Sequence, residues 1–150
     1  MVALDTDVLM LAFTFHRDPR QEANSRFLDL ARGQTPIVTI YSVMEVLGQL
    51  SFNLSAERLG QWPSWLQDHF NLTLLYPATD GQDATAFFQR EIVNRPQERM
   101  RQHPIPFVDA LILELVERKE DVEAFVTWNA RHFRGKTALP VLTPTEYLTR

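Results

Sequence analysis

The chain has 150 residues, a length that suits one domain, and it lacks cysteine, which excludes disulfide frameworks, thiolate zinc sites and Cys nucleophiles. Its 45% hydrophobic and 23% charged residues are ordinary for a globular protein, and a chain of this size buries roughly 70% of its unfolded surface without metal or disulfide staples. The net charge of -4 argues against a nucleic-acid coat protein, but leaves room for an enzyme that grips a few phosphates locally, because the placement of charge matters more than its sum.

In chain order, Val2-Ala3-Leu4 is a short apolar run that predicts a first, buried strand of a parallel sheet. Asp5 follows it, where open α/β sheets place their ligand crevice. A second reading stays open for Asp5 and Asp7, since Asp is a common helix N-cap. A short helix is expected from Asp7 to about Phe15. Pro19 suits the start of the next one, with Ala23, Phe27, Leu30 and Ala31 on one face and Gly33 at its end. Pro36 to Ile40 predicts the second strand.

Ser42-x-x-Glu45 has the spacing of a capping box, so Glu45 has a purely structural reading. That helix is expected to run to about Phe52. Ser55 predicts the next cap, and Leu59, Trp62, Leu66 and Phe70 keep helical spacing through Pro63, where a kink or split is expected. Trp62 and Trp65 read as core or partner-interface residues. Leu72 to Tyr76 predicts the third strand. Thr79 or Asp80 is expected to cap a helix carrying Ala84, Phe87, Phe88 and Ile92.

Asn94 to Pro106 reads as a long polar loop punctuated by Pro96, Pro104 and Pro106. It carries Arg95, Arg99, Arg101 and His103 against Glu98 alone. Phe107 to Lys119 is apolar nearly all round, which predicts a buried helix. Asp109 sits inside that run, either complementing its own helix dipole or facing a polar crevice, since carboxylates are almost never buried alone. Ala124 to Trp128 predicts a fourth strand and Leu139 to Leu142 a short fifth. Thr143 or Thr145 is expected to cap a last helical turn. The alternation predicts one three-layer α/β/α domain spanning residues 1–150, with a mainly parallel four- to five-stranded sheet.

In such a sheet Asp5, Glu45 and Asn129 share one edge, and Asp109 starts a helix packed on it. Three carboxylates and an amide in one place form an oxygen-only set that suits Mg²⁺ or Mn²⁺. Each of the four also has a structural reading as a cap. Neither a Gly-rich phosphate loop nor a G-x-S-x-G elbow is present, and the four histidines lack zinc spacing. Asp5-Thr6-Asp7-Val8 is also compatible with a phosphohydrolase of the haloacid-dehalogenase type, which would require a catalytic lysine; Lys119 and Lys136 are the only lysines. Arg131, Arg134 and Lys136 form a basic run beside Asn129, either a phosphate contact or a solvated turn. Trp128 reads as a core residue or a base-stacking platform. No run is long enough for a membrane span and no signal-peptide pattern opens the chain, so the expected location is the cytoplasm, with no membrane partner.

Leu4-Asp5-Thr6-Asp7-Val8-Leu9, Thr39 to Val46, Phe107-Val108-Asp109-Ala110-Leu111-Ile112 and Val126 to Phe133 together resemble a PIN domain, and most of all the VapC-type toxins of toxin–antitoxin pairs. The resemblance implies a PIN-like fold and a metal-dependent endoribonuclease acting on RNA. By position it makes Asp5, Glu45 and Asp109 the ligands of Mg²⁺ or Mn²⁺. Asn129 falls at a fourth catalytic position that holds Asp or Asn in the family. Thr6 and Thr127 would support these residues through hydrogen bonds. Asp7 departs from the small neutral residue, often Asn or Ser, expected there. A small antitoxin protein and a homodimer are the implied partners, with Leu47 to Phe52 and Trp62 to Phe70 as the expected dimer surface. A non-catalytic RNA- or protein-binding module of the same fold is the alternative.

Overall fold

In the computed structural model, which describes residues 1–14 and 16–150, five short strands form one sheet in the order β3-β2-β1-β4-β5. They are β1 Val2–Leu4, β2 Ile37–Thr39, β3 Thr73–Leu75, β4 Ala124–Val126 and β5 Val141–Leu142. All neighbours run parallel, with Ala3 opposite Ile37 and Phe125, and Val38 opposite Leu74. The fold is the expected three-layer α/β arrangement.

Side-chain alternation along the strands separates two cores. Val2, Leu4, Val38, Ala124 and Val126 point to one face. There they meet α1 (Thr6–Thr14), α2 (Gln21–Arg32), α3 (Ile40–Leu50) and α4 (Ala56–Phe70) through Leu9, Phe27, Val46 and Leu66. Ala3, Ile37, Phe125 and Val141 point to the other, against Ile112, Leu113 and Val116 of α7 (Phe107–Glu117) and Phe133 of α8 (Ala130–Phe133). The all-round apolar character of α7 thus has its reason in deep burial on this face. A last helix, α9 (Pro144–Leu148), is closed by Thr143 and Glu146 in a capping box.

Four local expectations are corrected. The capping box at Ser42 and Glu45 does not form: β2 turns straight into α3, and Thr39 is the N-cap, its side chain accepting from the Ser42 backbone N–H at 3.0 Å. Pro63 neither splits nor ends α4, which runs unbroken from its Ser55 cap to Phe70. The cap after β3 is Asp83, not Thr79 or Asp80. Asn94 to Gln102 is not loop: α5 (Ala84–Phe88) continues through π-helical turns over Gln89–Asn94 into α6 (Arg95–Gln102).

That last segment is polar because it is held by charge. Glu91 is 2% exposed, and its carboxylate accepts from Arg90 at 2.8 Å, Arg95 at 2.6 Å and Arg118 at 2.6 and 2.9 Å. Arg99 reaches Glu114 at 2.6 Å and also pairs with Glu117, clamping α6 on α7. Pro96 sits directly after the π-helical turns, at the second residue of α6. The expected end of α1 at Phe15 lies outside the described residues.

Candidate active site

In the order β3-β2-β1-β4-β5 the chain reverses direction of travel between β1 and β4, and ligands of open α/β sheets bind outside the carboxyl ends of the strands at such a switch. Asp5 leaves β1 at this point, and Thr127 to Asn129 leave β4 beside it. A cleft of about 360 Å³ opens here, lined by Asp5, Thr6, Asp7, Glu45, Asp109 and Asn129, with Met10, Gln49 and Phe133 completing its walls. All four residues expected at a site, Asp5, Glu45, Asp109 and Asn129, are therefore brought together. Asp7 joins them, and none of the lining residues is Lys or Arg.

Asp5 is 6% exposed. Its Oδ1 accepts the Thr6 backbone N–H at 2.8 Å, a bond to the next residue rather than the N2 or N3 bond of a helix cap, and the residue lines the cleft. Burial raises its carboxyl well above the usual carboxylate range, and the charge of Asp7 pushes it further. Glu45, on the second turn of α3, accepts from Thr6 Oγ1 at 2.6 Å. Asp109, in the first turn of α7, has His132 Nε2 at 3.2 Å from its Oδ2. Burial raises the Asp109 pKa; His132 lowers it and the charge of Glu45 raises it.

Asp7 has a role the sequence did not disclose. It does not cap its own helix. Its carboxylate accepts from Thr127 Oγ1 at 3.0 Å and from the backbone N–H groups of Trp128 at 3.1 Å and Asn129 at 3.0 Å. The parallel pairing of β1 with β4 places α1 beside that turn. Burial nevertheless pushes the Asp7 carboxyl up, against the pull of those three donors. Asn129 lines the cleft, with its backbone N–H on Asp7 and on Thr127 Oγ1.

Trp128 is tied down rather than free to stack: its Nε1 donates to Asn24 Oδ1 at 2.8 Å. Asn24 is fully buried and its Nδ2 donates to Val8 O at 3.0 Å. The basic run is also largely engaged. Arg134 pairs with Glu146 at 2.5 Å and Lys136 Nζ donates to Pro104 O at 2.7 Å, while Arg131 makes no ion pair among the described residues.

The donor set is oxygen-only, desolvated and crowded with like charge, which is the chemistry a hard divalent cation matches. The carboxylates form the walls of an open cleft rather than a closed cage: among the described residues no trio of His, Asp or Glu side chains stands ready to enclose an ion.

No family model and no curated protein matches the sequence. The fold does find solved counterparts. FitAcB from Neisseria gonorrhoeae superposes with a TM-score of 0.60 at 14% identity, covering 97% of this chain and 99% of that one. FitAB bound to an IR36 DNA fragment superposes at 0.60 and 15% identity, covering 96% and 95%. The chain has a PIN-like fold. In this PIN-like fold the carboxylates come from the β1 exit, α1, α3 and α7, the β4 exit contributes the amide of Asn129, and no residue from Ala84 to Gln102 lines the cleft. No helix among the described residues is long and apolar enough to cross a membrane.

Proposed function

We propose that the protein is a metal-dependent endoribonuclease that hydrolyses RNA phosphodiester bonds. The observation that carries this reading is the concentration of Asp5, Asp7, Glu45 and Asp109 around one cleft whose lining contains no Lys or Arg. Asp5, Glu45 and Asp109 are the residues assigned to hold Mg²⁺ or Mn²⁺. Such an ion, when bound, supplies an activated water and stabilises charge on the leaving oxygen.

The chain's own residues have distinct parts in this reading. Thr6 orients Glu45 through its 2.6 Å hydrogen bond. Thr127 and Asp7 fix the turn that presents Asn129, which orients water or substrate. His132, beside Asp109, restrains that carboxylate from the α8 side. The phosphohydrolase alternative loses support, since neither Lys119 nor Lys136 lines the cleft.

The resemblance to VapC-type toxins, together with fold neighbours solved as FitAcB and as FitAB on DNA, supports a toxin role with a small antitoxin partner. A homodimer belongs to the same reading: Phe52 is 86% and Trp65 41% exposed on the surface expected to form it. The test is cleavage of total RNA with added Mg²⁺ or Mn²⁺. Activity lost on chelation and in Asp109→Asn, with the fold retained, is the expected result. Equal cleavage by Asp109→Asn and parent removes the site assignment. For the toxin role, expression of the chain alone halts growth, and co-expression of a small partner restores it; unhindered growth contradicts that role.

A further inference from the structure

Separate from the acidic cleft, a second pocket of about 280 Å³ is lined by Leu75, Tyr76, Ala78, Asp80, Arg95, Leu115, Arg118 and Lys119. It shares no lining residue with the first. Its charge is opposite: three cations, Arg95, Arg118 and Lys119, face one acid, Asp80, which is itself paired with Arg90 at 3.0 Å.

The guanidinium groups are held in place from behind. Glu91 is buried under the pocket, and its one carboxylate takes hydrogen bonds from Arg90, Arg95 and Arg118. Arg90, Arg95, Arg118 and Lys119 stand against the carboxylates of Glu91, Asp80 and Asp121, so one positive charge is left over at the pocket. Arg95 uses only Nη1 on Glu91; its Nε and Nη2 have no partner among the described residues. Among the described residues Lys119 pairs only with Asp121, at 3.8 Å. Glu91 lies within the π-helical turns of Gln89–Asn94, an irregularity that recurs at functional sites. Tyr76, 58% exposed, stands at the same pocket.

We propose that this pocket binds a nucleotide phosphate, with Arg95 and Lys119 on the phosphate and the Tyr76 ring against the base, while Arg118, bidentate to Glu91 and bonded through Nε to Glu114 O, adds charge beside them. Rigid guanidinium forks match phosphate oxygens in a way that a lone ammonium does not, and an aromatic face accepts any base. The nucleotide is either free or part of an RNA strand. The site does not depend on the acidic cleft being a nuclease.

The experiment is equilibrium binding by isothermal calorimetry and NMR of the full chain, without divalent cation, to AMP, inorganic phosphate and a short single-stranded RNA. The variants are Lys119→Gln and Tyr76→Ala, which leave the Glu91 cluster intact, each checked by its melting curve. Binding of AMP, competed by phosphate and weakened about tenfold in either variant, supports a free-nucleotide site. RNA binding with the same dependence, and none of AMP, supports a strand site. Binding of neither, or binding that both folded variants retain at full strength, overturns the proposal.

Discussion

Thr6 Oγ1 donates a 2.6 Å hydrogen bond to Glu45 Oε2, joining the first residue of α1 to the second turn of α3 across 39 positions of sequence. It fixes one wall of the acidic cleft relative to another. Residues that orient a ligand from behind typically matter by 10- to 100-fold in metal affinity or activity. Thr6→Val is therefore expected to lower Mn²⁺ affinity or RNA cleavage by roughly 10- to 100-fold while melting close to the parent, and Thr6→Ser is expected to restore it. Loss of both activity and fold in Thr6→Val would reduce Thr6 to a packing residue.

The raised Asp5 carboxyl makes a pH-dependent prediction. The folded state holds its Asp5 proton at pH values where the unfolded chain has released it. Stability contributed by this group is thus full below the ordinary value of 3.8 and declines as pH rises through the folded-state value. Asp5→Asn keeps an acceptor for the Thr6 N–H and removes the charge. Its melting temperature is expected to exceed the parent's at neutral pH without divalent cation, with the gap closing below about pH 4. A gap that is constant across pH would show that burial of the charge is not the cause.

Asp7 anchors the turn after β4 through two backbone N–H groups and one hydroxyl. Asp7→Ala leaves those donors unpaired in a half-buried place, and the expected loss is about 1–3 kcal/mol in urea unfolding. Asp7→Asn, which keeps an acceptor, should lose less. Equal losses in the two variants would argue against the hydrogen bonds as the source.

Glu91 receives three arginines in a buried place. Removing one side of a buried ion network costs about 3–5 kcal/mol, so Glu91→Ala is expected to lower stability by that order, measured by denaturant midpoint. A near-neutral effect would mean that the arginines find solvent at no cost.

The sheet and the acidic cleft were legible in the sequence because each strand is a short apolar run ending at a polar residue. Asp5, Glu45, Asp109 and Asn129 fall at fixed offsets from those runs, and parallel topology then converges them. What misled was local chemistry with two solutions. Ser42-x-x-Glu45 has the right spacing for a cap, yet Thr39 three residues earlier takes that role and leaves Glu45 free to meet Thr6. The segment after Asn94 reads as loop by polarity, because the apolar periodicity of a helix is replaced there by arginine–carboxylate pairs to Glu91, Glu114 and Glu117. Those partners lie 4 to 18 positions away. Asp7's contact with Trp128 is 121 positions away and invisible to any local pattern.

The proposed nuclease reading requires Asp5, Glu45 and Asp109 together to hold a divalent cation. Its most direct test is calorimetric titration of Mn²⁺ into the parent and into Asp5→Asn, Glu45→Gln and Asp109→Asn, all shown to be folded. The expected result is binding by the parent, with release of protons from the raised Asp5 and Asp109 carboxyls, and at least about a tenfold loss of affinity in each variant, in line with the removal of a charged ligand. Undiminished Mn²⁺ binding in all three folded variants, or no binding by the parent, would contradict it.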